Sequence, residues 1–163
     1  MTAEERTIQR DRMRYIKNSL SANLALLGIL LDVFYFVSIY KSDVGSYYYN
    51  YLIGISIVYN LVFMLAAFLS SEGVKNYKKG YSYLLAALGV IQAARIFILP
   101  MRAHAATVTI NGVETIVMQD GQFYRVAAYL VLSAACLIAS AAVNFVRCRE
   151  LGEHLKTLDG QGA

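Results

Sequence analysis

Four apolar runs decide what this chain can become: Leu20 to Tyr40, Tyr49 to Leu69, Tyr81 to Leu99 and Tyr124 to Val146. About 20 predominantly apolar residues cross the hydrocarbon core of a bilayer as a helix rising 1.5 Å per residue. Hydrocarbon offers backbone N–H and C=O groups no partner, so an open chain crosses it only as a helix. The expected architecture is an all-α integral membrane protein, one domain over 1–163, built as a bundle of four transmembrane helices.

Charge supports the same class. Only 16% of the 163 residues are Asp, Glu, Lys or Arg and the mean hydropathy is +0.47, whereas soluble domains carry about 25% charged residues. The single proline, Pro100, falls where the third span should stop. The first run is preceded by some nineteen polar residues with no small-residue cleavage site after it, so it reads as a span and not as a secretion signal. Cys136 and Cys148 form no disulfide framework and are expected as free thiols.

Lys and Arg are retained on the cytoplasmic side. The segment before span one carries Arg6, Arg10, Arg12, Arg14 and Lys17; the loop after span two carries Lys75, Lys78 and Lys79; the tail carries Arg147, Arg149 and Lys156. The opposite side has only Lys41, Arg102 and Arg125. Both termini are therefore expected in the cytoplasm. The net charge of +4 is accounted for by this topology and by attraction to an anionic inner leaflet. No basic run is interleaved with aromatics on a soluble domain, so nucleic acid is not an expected partner. The partners expected are the bilayer itself and either another membrane protein or a second copy of this chain. Thirteen tyrosines against no tryptophan gather as Tyr47, Tyr48, Tyr49 and Tyr51 and as Tyr77, Tyr81 and Tyr83, two interfacial belts, with a ligand cage at 47–51 as the alternative.

Residues 1–19 pair Thr2 with Glu5 at capping-box spacing and set Ile8, Tyr15 and Leu20 among charges, the pattern of a cytoplasmic amphipathic helix. The tail 147–163 is expected to extend span four by two or three turns and then fray near Gly160 and Gly162. Within 105–118 the period changes: "TVTINGVETIV" places Asn111 and Gly112 between alternating β-branched runs, the signal of a two-residue hairpin turn. Pairing Ile110 with Val113 sets Val108 opposite Thr115 and Ala106 opposite Val117, and sends Thr107, Thr109, Glu114 and Ile116 to the other face. An isolated hairpin is marginal in water, so this extracytoplasmic one needs a floor, either the rim of its own bundle or another protein.

Asp32 is the one acidic or basic side chain in the first run. A charge at mid-bilayer costs about 2.5–3.5 kcal/mol on insertion scales, so it faces a bundle interior or a cavity. Ser21, Ala25, Gly28, Asp32 and Tyr35 recur at helical spacing as a small and polar packing face. Arg95 lies at comparable depth in span three, with Gln92 one turn earlier on its face and Asn60 near the middle of span two; these four form a candidate intramembrane polar cluster. The small-residue stripe of span three, Ser82, Ala86, Gly89 and Ala93, points about 120° away from Arg95 at 100° per residue. Three states of Asp32 stay open: paired with Arg95, alone while Arg95 snorkels to the headgroups, or neutral and proton-exchanging.

The sequence holds no phosphate loop, nucleophile motif or zinc signature. His104 and His154 fall on opposite sides of the membrane and share no metal. Neither an enzyme nor a cofactor is expected. The leading expectation is a structural or accessory subunit of a membrane assembly of transport type; the alternatives are a small transporter or channel using the Asp32 and Arg95 cluster, and a sensor using the outer hairpin. The outer loops lack an N-x-Ser/Thr acceptor, which fits a bacterial cytoplasmic membrane.

Overall fold

The computed structural model describes residues 17–40, 51–110 and 113–161. Its elements are α1 (Ser19–Tyr40), α2 (Tyr51–Lys75), α3 (Lys79–Ile98), the short α4 (Pro100–Ala105), β1 (Thr107–Ile110), β2 (Val113–Ile116) and α5 (Asp120–Gln161). Four of the helices are long and apolar enough to cross a membrane. Residues 1–16, the tyrosine run 47–49 and the Asn111 and Gly112 turn lie outside the described residues.

Around the bundle the helices follow the order α1, α2, α3, α5, with the broadest contacts made by α5 on α1 and on α3. The distribution of side chains is the reverse of a soluble protein's. Leu26, Leu27, Leu30, Val33, Phe34 and Val37 of α1 are exposed on the outside, while Ser21, Ala25, Gly28, Asp32 and Tyr35 are buried. Lipid tails are as apolar as leucine, so large aliphatic side chains gain little by turning inward; small residues that let backbones approach share the contacts with Ile39, Leu85, Leu130 and Leu137.

Two glycines show the close approach. A Cβ on Gly28 would stand 3.1 Å from Leu137 and 3.2 Å from the Ser133 carbonyl of α5; one on Gly89 of α3 would stand 2.6 Å from Ile138 Cγ1 and 3.2 Å from the Ala134 carbonyl. α5 is thus gripped on two sides through its own run of Ser133, Ala134, Leu137, Ser140, Ala141 and Asn144, all buried.

The third span stops where the sequence placed its end, and two other ends differ from the expectation. α3 ends at Ile98 and, after Leu99, Pro100 opens α4 in the first helical turn, where a missing N–H costs nothing. α2 runs on to Lys75, six residues past Leu69, and ends with the Lys78 N–H on the Gly73 carbonyl at 3.2 Å and the Tyr77 N–H on the Val74 carbonyl at 3.1 Å. That is a Schellman pattern, with Tyr77 at φ 57° where glycine is usual. The tail does not fray after two or three turns: α5 continues to Gln161, some four turns beyond Val146. Good helix formers and the Arg149–Glu153 pair one turn apart, 3.0 Å between Nε and Oε1, explain the continuation.

β1 and β2 pair antiparallel with Ile110 opposite Val113 and Val108 opposite Thr115. Thr107, Thr109, Glu114 and Ile116 are exposed. The segment that follows drops back onto the helices, with Val117 and Met118 buried against Tyr35, Ile39, Ala103, Val126 and Leu130.

Close approach at Gly89 is open to direct test. Gly89→Val is expected to lower stability by about 1–3 kcal/mol, as overpacking does. Gly54→Ala, where an added Cβ meets nothing within 4 Å, is expected to be silent or to gain up to about 1 kcal/mol from helix propensity. Thermal unfolding of both variants in one detergent reads the contrast.

Candidate functional site: a charge pair inside the bundle

Two polar layers cross the bundle. The first lies where α1 begins. Asn18 caps α1 by accepting the Ser21 N–H on its side-chain oxygen at 3.4 Å, and its own N–H reaches the Lys75 carbonyl at 2.9 Å. Its amide also donates to Asn144 Oδ1 at 2.9 Å, and Asn144 Nδ2 donates to Ser82 Oγ at 2.6 Å. Ser21 and Ser140 each donate to the other's backbone carbonyl at 2.7 Å. This layer ties α1, α2, α3 and α5 together without any charged side chain.

The second layer is charged. Asp32 Oδ1 accepts from Gln92 Nε2 at 2.7 Å and from Arg95 Nη1 at 2.9 Å. Arg95 Nη1 also donates to Gln92 Oε1 at 2.9 Å, and Nη2 donates to Asn60 Oδ1 at 2.6 Å. Gln92 Nε2 reaches Ser133 Oγ at 3.2 Å, whose hydroxyl donates to the Gly28 carbonyl at 2.7 Å. Asp32 comes from α1, Asn60 from α2, Gln92 and Arg95 from α3 and Ser133 from α5, so every spanning helix contributes. Asp32, Asn60 and Gln92 are no more than 1% exposed and Arg95 is 6% exposed.

The geometry separates the states that the sequence left open for Arg95. Its guanidinium turns into the bundle and pairs with Asp32, and does not extend to the headgroups. The angular objection dissolves because α3 uses an arc of about 140°. Ser82 and Gly89 meet α5 at one edge of it, Gln92 lies within it, and Arg95 at the other edge faces α1 and α2.

An aromatic box around the guanidinium was not singled out from the sequence. Arg95 Cζ lies 4.7 Å from the Tyr35 ring centroid, 4.9 Å from Tyr59 and 5.6 Å from Phe63. Stacking of this kind stabilises a desolvated cation by about 2 kcal/mol or more. The signal was present, since Tyr35 follows Asp32 by three residues while Tyr59 and Phe63 flank Asn60, but aromatic residues in an apolar run look like any other lipid-compatible side chain.

Chemically, the layer is a neutral pair with one open corner. Asp32 Oδ2 and Asn60 Nδ2 are buried and have no hydrogen-bond partner among the described residues. A carboxylate oxygen with open lone pairs can accept a hydrogen bond or a proton, and an unpartnered amide N–H can donate one. Nothing in the layer is arranged as a nucleophile with an adjacent base. His104, in α4, sits apart from it, 3.0 Å from Asp120 Oδ1; both thiols are free, with Cys148 Sγ donating to the Tyr77 carbonyl at 3.1 Å.

Removing one member of a buried ion pair strands the other, at a cost of about 3–5 kcal/mol. Asp32→Asn and Arg95→Gln are each expected to destabilise the bundle by that order. The double variant Asp32→Asn with Arg95→Gln, which buries no net charge, is expected to regain more than half of the loss. Titration of the folded protein with a denaturing detergent measures all three; equal losses that simply add would rule out the pairing. No family model, curated protein or solved structure matches the chain, so the reading of this site rests on its own residues.

Proposed function

We propose that the protein is a structural or accessory subunit of a membrane assembly, of the kind that accompanies a transport system. The observation that carries this reading is the mutual bonding of all four spans at both polar layers. The Asp32, Arg95, Gln92 and Asn60 side chains bond one another across α1, α2 and α3, and Asn18, Asn144 and Ser82 do the same where α1 begins. Polar groups spent on each other hold a bundle in one arrangement. An outer surface rich in Leu, Ile, Val and Phe is then left for lipid and for a neighbouring membrane protein or a second copy of the chain.

The distribution of Lys and Arg supports an orientation with both termini cytoplasmic and the paired strands outside. The absence of a glycosylation acceptor in the outer loops favours a bacterial cytoplasmic membrane.

A second reading, a small transporter or channel, draws on the unpartnered Asp32 Oδ2 and Asn60 Nδ2. An acceptor and a donor left open at membrane depth are what a transient proton or a small polar solute would use.

Two measurements separate the readings. A tagged chain extracted in mild detergent is expected to carry a recurrent, stoichiometric membrane partner or itself as an oligomer, and the purified protein alone is expected to show no flux in proteoliposomes. Flux that disappears in Asp32→Asn while the protein still folds would establish the transporter instead. Single-cysteine labelling in intact cells tests the orientation: position 112 is expected to react from outside and position 75 only after the membrane is opened.

A further inference from the structure

Between α2 and α3, near the end of the bundle that carries the strands, lies a cleft of about 350 Å³. Its walls include Tyr35 of α1, Ile55 and Tyr59 of α2 and Ile91, Ala94 and Ile98 of α3, with Ser56 and Arg95 among its hydrogen-bonding groups. Ile55, Ile91 and Ile98 are 64%, 44% and 60% exposed on the flank of the bundle. The opening therefore faces sideways, toward acyl chains.

Three features specify what fits. First, the walls are almost wholly aliphatic and aromatic, which suits a hydrocarbon chain. Second, donors are available. A guanidinium presents five N–H groups, of which Asp32, Gln92 and Asn60 engage three and the Tyr35 phenol a further one, leaving one donor without a partner among the described residues. The Tyr40 hydroxyl donates to Ser56 Oγ at 2.6 Å, so the serine's own proton, one helical turn from Asn60, is a further donor with no acceptor among the described residues. Third, the charge is already balanced. Asp32 lies 2.9 Å from Arg95, so an anion entering the cleft meets a neutral pair and would lose its hydration for little in return.

We propose that this cleft binds a neutral, carbonyl-bearing lipid amphiphile that enters sideways from the bilayer. Its carbonyl oxygen accepts hydrogen bonds from Arg95 and Ser56, and its chain lies along Ile55, Ile91 and Ile98. This assignment holds whether or not the protein serves a larger assembly.

The test uses the full chain in detergent micelles and three photoactivatable probes with the same diazirine-bearing chain: a 1-monoacylglycerol, the free fatty acid and the plain alkane. The monoacylglycerol is expected to label segments 54–60 and 91–99 about fivefold more than either of the others, the ratio one hydrogen bond gives. Ala94→Leu fills the cleft from an exposed position that takes no part in the charged layer; it is expected to reduce that labelling to the alkane level at an unchanged unfolding midpoint. Ser56→Ala, which keeps the cleft but removes a donor, is expected to reduce the monoacylglycerol signal severalfold and leave the alkane signal alone. Equal labelling by the alkane would mean ordinary hydrophobic contact, preference for the fatty acid would mean an anion site, and indifference to both variants would mean binding elsewhere. Each of these results overturns the proposal.

Discussion

A carboxylate and a guanidinium held 2.9 Å apart where hydrocarbon surrounds the bundle set the terms for everything near them. Neither charge is tolerable there alone, because desolvation of each ion costs several kcal/mol and attraction to the other offsets it only when the remaining hydrogen-bonding positions are also filled. Gln92 and Asn60 fill some of them and the rings of Tyr35, Tyr59 and Phe63 cover the guanidinium faces. The pair therefore dictates which faces of α1, α2 and α3 turn inward, and Gln92 passes that constraint to α5 through Ser133. In lipid, where burying aliphatic side chains offers little driving force between helices, such a requirement does what a hydrophobic core does in water.

The two polar layers divide this work differently. The layer at the start of α1 uses only amides, hydroxyls and backbone carbonyls, and doubles as the cap of α1 and a tie to the end of α2. The charged layer contains no backbone cap and depends on long side chains reaching across the interior. Between them the helices touch through Ala25, Gly89 and Ala141, contacts governed by close packing. Stiffness is thus concentrated at two heights, and the intervening contacts are governed by side-chain volume.

Much of this was legible in the residues. An acid in an apolar run announces itself by its cost, and the small and polar stripe of α1, from Ser21 to Tyr35, is the face found buried. What periodicity could not convey was how wide a face each helix buries. Span three bears a small-residue stripe and a charged edge on opposite sides of Gln92. Only the presence of a neighbour on each side, α5 against Gly89 and α2 against Arg95, makes both edges interior. The aromatic box was hidden for a related reason: Tyr and Phe are equally at home in lipid and against a cation, and sequence spacing alone does not say which surrounds them. The tail is helical further than its glycines suggest, because the helix-forming run before Gly160 outweighs them.

α5 has a further implication. Cys148 stands level with the turn between α2 and α3, where its thiol meets the Tyr77 carbonyl, and the helix continues unbroken for thirteen more residues, to Gln161, a reach of about 20 Å past that contact. Such an extension acts as a ruler and a pointer at once. Inserting one residue beyond Cys148 would swing its far end by about 100° around the axis, while adding a full turn would lengthen it and preserve the bearing. Any surface that engages this arm is thereby keyed to the rotational setting of the helices embedded in lipid.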